Sequence, residues 1–365
     1  MNRPEKLKSC FLPTPLHELK NLNEQIGKAK MYMKRDDLTG LGLGGNKLRK
    51  LDYIVKDAKD KGYTTLMTFG GVQTNHGRLT AAAAAANGMK CIICCYGQPP
   101  EEMSGNLVLD RVMGAEVIFL DTSELKKLYN IRPYDEIAHK YRSFRKLCVE
   151  EIITEREKLG EKVYEVPIGG HSHLGTLGYC DCVKEIMDQL DKMGETVDYV
   201  VAGNGSGGTF AGLLLGMKYY NAPFKVLGVN ISKKAKEESK KILEDVNETA
   251  KHFDMGVTVD EEDYVYYEDT TGIGYNVPDP ETREVIYKLA QAEGILVDPC
   301  YTGKSFAGFL KLIEDEVIPK DSKCIFVHTG GTPALWTEEH LDQMNKELWS
   351  DPKTFNYKDY EYKIK

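Results

Sequence analysis

The sequence predicts an α/β protein of two lobes, each an open, mostly parallel sheet with helices on both faces. Three observations favour this class. Short apolar strand patterns alternate with helical patterns along most of the 365 residues. A polar section rich in Lys, Glu and Arg, from 123 to about 161, separates two such series. Gly-rich or polar loops follow the strands, where α/β proteins carry their functional residues.

The first series begins with a helix from Lys47, whose apolar positions 48, 51, 54, 55 and 58 share one face. "YTTLMTFGG" is then a strand, "NHGRLTAAAAAANGM" an alanine-rich helix and "KCIICCYG" a second strand. "NLVLDRVMGA" is a helix and "EVIFLD" a third strand. Such βα units imply parallel strands joined by crossovers. We assign this series to a smaller domain, 50–165.

The second series contains "VDYVVAGNGSGGTFAGLLLGMKYY", which predicts a strand, a Gly-rich loop and a helix. "FKVLGVNIS" is a further strand, and a charged helix runs from about 233 to 252. "EGILVDPCYTGKSFAGFLKLI" and "CIFVHTGGTPALW" each predict a strand followed by a functional loop. We assign these elements to a larger domain formed by 1–49 and 166–365.

Composition and charge exclude several classes of function. The formal net charge is −8, with no basic stripe for nucleic acid. No segment has the length and hydropathy of a signal peptide or a membrane span, so we expect a cytoplasmic protein without a membrane partner. The nine cysteines lack the spacing of a metal site, so we expect buried free thiols and no metal.

The strongest single motif is "GNGSGGT", residues 203–209, between an apolar strand and an apolar helix. Its glycines let backbone N–H groups converge on an anion, and the helix N-terminus adds positive potential. Ser206 and Thr209 can donate from their hydroxyls. The motif fits neither a P-loop nor a dinucleotide fingerprint. We interpret it as a phosphate site, the alternative being a simple turn between strand and helix.

A second unusual feature is "GLGLGGNKLRKLDYI", which places Lys47 in the first turn of a helix, where the helix dipole disfavours a cation. Polar loops elsewhere add candidate ligands: "GGVQTNHGR", "GGHSHLGTLGY", "TGIGYNVP", "DPCYTGKS" and "HTGGTPAL". Each loop alone could be an ordinary cap or turn. Together, a phosphate site and a lysine in a polar pocket indicate pyridoxal phosphate, whose aldehyde would form an imine with Lys47.

The chain resembles the 1-aminocyclopropane-1-carboxylate deaminase and D-cysteine desulfhydrase family. The segments that carry the resemblance, in the same order and spacing, are "PTPLHEL", "KRDDLTGLGLGGNKLRKL", "QTNHGR", "NLVLDRVMGAEV", "PIGG", "GSGGT", "GYNVP", "LVDPCYTGK" and "HTGGTPAL". The resemblance implies the tryptophan synthase β-like fold of fold type II pyridoxal-phosphate enzymes, with the cofactor bound mainly by the larger domain.

The resemblance also implies roles for particular residues. Lys47 would carry the cofactor and act as the base, and Tyr275 and Tyr301 would flank the ring and the substrate as further catalytic residues. Asn75 would bond the phenolic oxygen of the cofactor, and Thr329 would lie at its pyridine nitrogen. The phosphate would be held by Lys50, Gly205, Ser206, Gly207, Gly208 and Thr209.

Two positions distinguish the branches of this family. Deaminases carry Glu after the tyrosine of "DPxY" and Leu in place of Thr in "HTGG", whereas this chain has Thr302 and Thr329, the desulfhydrase pattern. The expected substrate-binding residues are Thr74, Asn75, His76, His171 and Thr302. The chain departs from the family by "QTNH" in place of QSNH and by "HSH" after "PIGG". Both changes lie near the expected substrate, so the leaving group stays open.

These observations favour a carbon–sulfur lyase that converts D-cysteine to pyruvate, ammonia and hydrogen sulfide. The first alternative is cysteate or another β-substituted alanine, since His171 and His173 could favour an anionic substituent. Ring-opening deamination of 1-aminocyclopropane-1-carboxylate is another alternative. A non-catalytic protein that binds a phosphorylated metabolite is a hypothesis of a different class, although it leaves Lys47 without a purpose. We expect a homodimer with a small amino acid as its substrate.

Overall fold

Ten strands form two sheets in the computed structural model, which describes residues 3–128, 134–231, 236–267, 276–277, 279–349 and 353–359. The strands are β1 (Leu16–Glu18), β2 (Lys30–Lys34), β3 (Thr65–Gly70), β4 (Lys90–Tyr96), β5 (Glu116–Leu120), β6 (Val163–Glu165), β7 (Tyr199–Asn204), β8 (Lys225–Asn230), β9 (Tyr264–Tyr267) and β10 (Lys323–Val327). The predicted α/β class, with open and mostly parallel sheets flanked by helices, is confirmed.

The larger sheet has the strand order β1-β2-β10-β7-β8-β9, and the smaller sheet has the order β5-β4-β3-β6. Each neighbouring pair is parallel except β1 with β2. All strands of the smaller sheet lie between residues 65 and 165, and those of the larger sheet lie outside this range. The domain limits at 49/50 and 165/166 stay predictions.

Twelve helices accompany these strands in the described part of the chain. They are α1 (Lys20–Ile26), α2 (Lys47–Asp60), α3 (Asn75–Ala86), α4 (Gly105–Val112), α5 (Ser123–Leu128), α6 (Tyr134–Lys158), α7 (His173–Met193), α8 (Gly208–Tyr219), α9 (Lys236–His252), α10 (Pro280–Glu293), α11 (Thr302–Glu314) and α12 (Glu338–Leu348). None of the described helices is both long and apolar enough to cross a membrane.

The helices bury their apolar faces against the two sheets. Helix α2 buries Leu48, Leu51 and Ile54 against α3 and the smaller sheet, as the spacing predicts. The polar section from 123 to about 161 contains α5 and α6, and α6 packs Val149 and Ile152 on the other face of the same sheet. All nine cysteines are free thiols and seven of them are buried, in agreement with the prediction.

One predicted strand is wrong. The apolar segment at 295–298 buries Ile295 and Val297 but pairs with no strand of the described chain. The carbonyl of Leu296 instead accepts a hydrogen bond from the ring of His328, at 2.9 Å. A short apolar run has the same sequence pattern whether it enters a sheet or only fills the core, so periodicity alone could not separate the two.

Candidate active site

Four helices begin at one cavity between the two sheets. Helices α2, α3, α8 and α11 start beside it, and the ends of β3 and β7 contribute Gly70 and Gly203 to its wall. The cavity has a volume of about 270 Å³. The convergence of helix N-termini and the carboxyl ends of strands favours a ligand that carries negative charge.

A Gly-Gly-Asn turn delivers Lys47 to this cavity. Gly44 and Gly45 have φ of 68° and 137°, and a Cβ at Gly44 would overlap the carbonyl oxygen of Asp37. The backbone N–H of Asn46 donates to the carbonyl of Thr329 at 3.0 Å, and its side chain donates to the Thr209 hydroxyl at 2.9 Å. These two bonds fasten the turn to both neighbouring loops, which explains how a flexible segment can hold a lysine in a fixed place.

Lys47 and Lys50 lie one helical turn apart and face the same region. Burial lowers the pKa of Lys47 to about 8. Burial and the charge of Lys47 hold the pKa of Lys50 well below its ordinary value. Lys50 donates to the carbonyl of Gly169 at 3.2 Å. Neither lysine forms an ion pair within the described ranges, so the site is short of negative charge and suited to an anion.

The predicted phosphate loop packs against Lys50. Gly207 has φ of 90°, and a Cβ at Gly208 would lie 3.0 Å from the Lys50 ammonium nitrogen. Gly205, Ser206, Gly207 and Thr209 line the cavity, whereas Gly208 opens helix α8 directly beside the lysine. Only glycine allows this close approach. The approach brings the Lys50 ammonium to the N-terminus of α8, and a phosphate site needs both a cation and a helix N-terminus.

The start of α3 forms the next part of the wall, with Thr74, Asn75 and His76 all in place. The hydroxyl of Thr74 accepts from the N–H of Gly77 at 3.2 Å and so caps the helix. Burial and the charges of Lys47 and Lys50 lower the pKa of His76 well below its ordinary value, which keeps the imidazole neutral. The wall therefore offers neutral donors and a helix N-terminus on this side.

The loops at Tyr301 and Thr329 close the cavity, and both residues line it. Two predicted substrate-binding residues lie elsewhere. Thr302 is fully buried and its hydroxyl donates to the Asp298 carboxylate at 2.6 Å, so it does not reach the cavity. His171 packs behind the glycine loop, with its ring 3.5 Å from the carboxylate of Asp245. Predicted Tyr275 lies outside the described residues.

Several residues of the wall were not predicted from the sequence. Phe69, Ile168 and Ile231 supply apolar surface, and Ser305 lies one helical turn after Tyr301. Phe69 is the last residue but one of β3, and a position at the carboxyl end of a parallel strand could have predicted that it lines the site. The others carry no local pattern that separates a cavity wall from ordinary core.

Comparison with known proteins assigns the family. A family model described as "Pyridoxal-phosphate dependent enzyme" matches residues 8–330. The chain belongs to this family. The 1-aminocyclopropane-1-carboxylate deaminase of Methylobacterium sp. (strain 4-46) is 36% identical over 341 residues, which cover 91% of this chain and 96% of that protein. The D-cysteine desulfhydrase of Yersinia enterocolitica is 37% identical over 328 residues, 88% of this chain and 92% of that protein.

Solved structures agree with this assignment to the pyridoxal-phosphate-dependent family. A crystal structure of an ACC deaminase homologue is 34% identical in sequence and has a TM-score of 0.79. The match covers 95% of this chain and 97% of that chain. O-ureido-L-serine synthase, 18% identical with a TM-score of 0.60, shares the fold. The predicted family resemblance, the fold type and the dependence on pyridoxal phosphate are confirmed.

The residues at the cavity fit pyridoxal phosphate. Its aldehyde reacts with a neutral primary amine, and Lys47 has a pKa of about 8, far below that of an exposed lysine. Its phosphate needs cations and N–H donors, which Lys50 and the loop of Gly207 and Gly208 bring together. Two buried lysines without an acidic partner in the described chain are costly unless such an anion joins them.

Proposed function

We propose that the protein is a lyase that removes the β-substituent of a small amino acid, with D-cysteine as its substrate. The overall change adds water to cysteine and gives pyruvate, ammonia and hydrogen sulfide, so that atoms balance. The observation that carries the proposal is Thr329 in the wall of a cavity that also holds Lys47. The resemblance assigns leucine to this position in the deaminase branch.

Lys47 provides the base for this reaction. When bound, pyridoxal phosphate withdraws electrons from the α-carbon of an attached amino acid and makes its proton acidic. With a pKa of about 8, the Lys47 amine is partly neutral at physiological pH and can accept that proton. The low pKa comes from burial of the amine.

The substrate carboxylate belongs at the start of α3. Thr74 and Asn75 lie there with the first N–H groups of the helix, which favour an anion. Neutral His76 beside them can donate a hydrogen bond without adding a charge. Phe69 and Ile231 add apolar surface to the wall, and the cavity volume of about 270 Å³ supports a small amino acid as the substrate.

Thr329 supports elimination over ring opening. The resemblance places this residue at the pyridine nitrogen and gives deaminases a glutamate at position 302; a hydroxyl, unlike that carboxylate, cannot keep the nitrogen protonated. Electron withdrawal is then weaker. Weak withdrawal is enough when a stable thiolate leaves, but it is poorer for breaking the carbon–carbon bond of a cyclopropane.

The cysteate alternative loses its support in this arrangement. It depended on His171 and His173 as partners of an anionic leaving group. His171 instead faces Asp245, and the ring of His173 bonds the Thr249 hydroxyl at 2.8 Å, so neither residue lines the cavity. Deamination of 1-aminocyclopropane-1-carboxylate remains the second candidate, because relatives of nearly equal identity carry that activity in their names.

A substrate panel with the purified holoenzyme tests the proposal. D-cysteine, L-cysteine, cysteate, D-serine, 3-chloroalanine and 1-aminocyclopropane-1-carboxylate are compared by pyruvate and 2-oxobutyrate release. We expect the highest kcat/KM for D-cysteine. Preferential release of 2-oxobutyrate would make the protein a deaminase. A holoenzyme that turns over none of these compounds would favour the non-catalytic alternative.

A further inference from the structure

A buried arginine lies directly behind the cavity, on the first turn of α3. Arg78 is fully buried and does not belong to the wall. Its Nε donates to Oδ1 of Asn106 at 2.7 Å, and Nη2 donates to the carbonyl of Gly44 at 3.1 Å. Nη2 also donates to Oδ1 of Asn75. One side chain thus joins the turn that delivers Lys47 to an amide that lines the cavity.

The contact with Arg78 fixes which end of the Asn75 amide faces the ligand. A guanidinium has donors only, so the amide must present its oxygen to Arg78. The amide nitrogen then lies on the other side, next to Gly45, where a Cβ would approach it to 3.2 Å. Asn75 therefore offers an N–H donor to the cavity, and the choice between the two amide orientations is chemical.

The charge of Arg78 reaches the cavity mainly through Asn75. Burial lowers its pKa to about 10, and the charges of Asp110, Asp298 and Tyr301 oppose this shift, so the guanidinium stays positive at neutral pH. Asp110 is buried, and neither of its carboxylate oxygens has a hydrogen-bond partner in the described chain. Nη1 of Arg78 also lacks a partner there. No described ion pair neutralises Arg78 directly, and its positive field polarises the amide that it holds.

We propose that Arg78 is a positioning residue that acts on the cofactor through Asn75, by holding and polarising the amide as a hydrogen-bond donor. The inference rests on the proposed function and on the family resemblance, which puts the phenolic oxygen of pyridoxal phosphate beside Asn75. A donor at this oxygen stabilises its anionic form, which lowers the pH at which the bound cofactor loses its proton. Arg78 therefore sets the titration of a group that it never touches.

The test uses the holoenzyme without substrate, followed by absorbance over a pH series and by titration of cofactor affinity. Arg78→Lys and Asn75→Ala should each raise the midpoint of the spectral change by about one pH unit. Each should weaken cofactor binding by about tenfold or more, the loss expected for a hydrogen bond to a charged group. Because Arg78 acts only through the Asn75 amide, the double variant should shift no further than Asn75→Ala alone.

Two further variants separate positioning from general support. Arg49→Lys removes another buried guanidinium, which bonds Asp36 and Glu185 away from the cavity. It should lower the melting temperature without moving the midpoint. Asp110→Asn keeps every hydrogen bond of Arg78. Burial raises the pKa of the Asp110 carboxyl to about 8, so the variant removes an opposing charge only above that pH; it should fold and move a midpoint in that range downward. This variant decides the matter if Arg78→Lys does not fold.

The outcomes are distinguishable from those of the proposed function. An unchanged midpoint in Arg78→Lys, an additive double variant, an equal shift in Arg49→Lys, or an upward shift of the midpoint in Asp110→Asn overturns the positioning role. A wild-type holoenzyme that shows the expected titration but releases no pyruvate overturns the proposed lyase and leaves the role of Arg78 standing.

Discussion

The hydroxyl of Thr302 donates a hydrogen bond of 2.6 Å to the carboxylate of Asp298, so this threonine turns away from the cavity. The same carboxylate accepts from the backbone N–H groups of Cys300, Tyr301 and Thr302, at 2.8 Å each. Burial raises the pKa of Asp298, and these donors oppose the rise. Asp298 thus organises the loop that presents Tyr301, and the Thr302 side chain stabilises this loop.

We predict that Thr302→Val lowers stability more than activity. Loss of one donor to a buried carboxylate should reduce the free energy of unfolding by about 1–3 kcal/mol. The KM for D-cysteine should stay within about threefold of the wild-type value, because Thr302 does not line the cavity. A threefold change corresponds to well under about 1.4 kcal/mol of binding free energy. Denaturant unfolding and steady-state kinetics measure the two effects. A tenfold rise of KM at unchanged stability would return Thr302 to the substrate site.

The sequence predicted the parts of the site whose chemistry is local. Glycines and a cap residue are visible in the chain, so the turn before Lys47, the loop at Ser206 and the helix cap at Thr74 were predictable as local structure, and all three lie at the cavity. The orientation of Thr302 was not predictable, because a threonine at a helix start can face either the ligand or a preceding aspartate. The choice depends on how the whole loop packs.

Other outcomes depended on contacts between distant segments. Arg78 follows Asn75 by three residues, a spacing that puts both side chains on one helix face, but its bonds to Gly44 and Asn106 come from tertiary packing. The resemblance placed His171 near the substrate, whereas its ring lies behind the glycine loop, 3.5 Å from the carboxylate of Asp245 of α9. The homodimer stays a prediction.

Lys47→Ala should abolish turnover and leave the fold intact. The side chain supplies both the covalent attachment and the base, so kcat should fall by about 10³-fold or more. Circular dichroism should be unchanged, because the removed group is an amine whose burial is unfavourable. Borohydride reduction of the wild-type holoenzyme followed by peptide mapping should label Lys47. A label on Lys50 would contradict the assignment.

Cofactor uptake by the apoprotein should depend on pH through Lys47. Burial lowers the pKa of this lysine to about 8 from 10.5, because the charged form is disfavoured. Only the neutral amine attacks an aldehyde. The rate of covalent uptake should therefore rise up to about pH 8 and level off above it. Stopped-flow absorbance measures the rate, and Lys47→Ala gives the non-covalent background. A rate that still climbs steeply at pH 10 would rule out the lowered pKa.

Ser206→Asp should weaken cofactor binding, whereas Ser206→Ala serves as its matched control. The aspartate would bring a carboxylate to the loop between Gly205 and Gly207, where N–H donors and Lys50 favour a phosphate. The alanine removes the hydroxyl without adding charge, so its affinity should fall by about tenfold or less. Absorbance titration of the apoprotein compares the variants. Equal affinity of the aspartate variant and the wild type would reduce the loop to a simple turn.

Of Thr302 and Thr329, the two residues that distinguish the branches of the family, only Thr329 can act on the choice between elimination and deamination. Thr329 lines the cavity, whereas a glutamate at 302 would stand against the buried carboxylate of Asp298 and destabilise the loop. The single variant Thr329→Leu is therefore a cleaner test than the double change. It removes a hydroxyl partner of the pyridine nitrogen and fills part of the cavity, so pyruvate formation from D-cysteine should fall by about tenfold or more.

Thr329→Val separates the two causes, since valine keeps the shape of threonine and removes only the hydroxyl. If the hydroxyl matters, the valine variant should lose most of what the leucine variant loses, and its cofactor spectrum should change with its rate. If volume matters, valine should keep wild-type elimination and only leucine should be slow. Rates of 2-oxobutyrate formation from 1-aminocyclopropane-1-carboxylate are measured beside them. Unimpaired elimination in both variants would mean that Thr329 does not select the reaction, even in an enzyme that acts on D-cysteine.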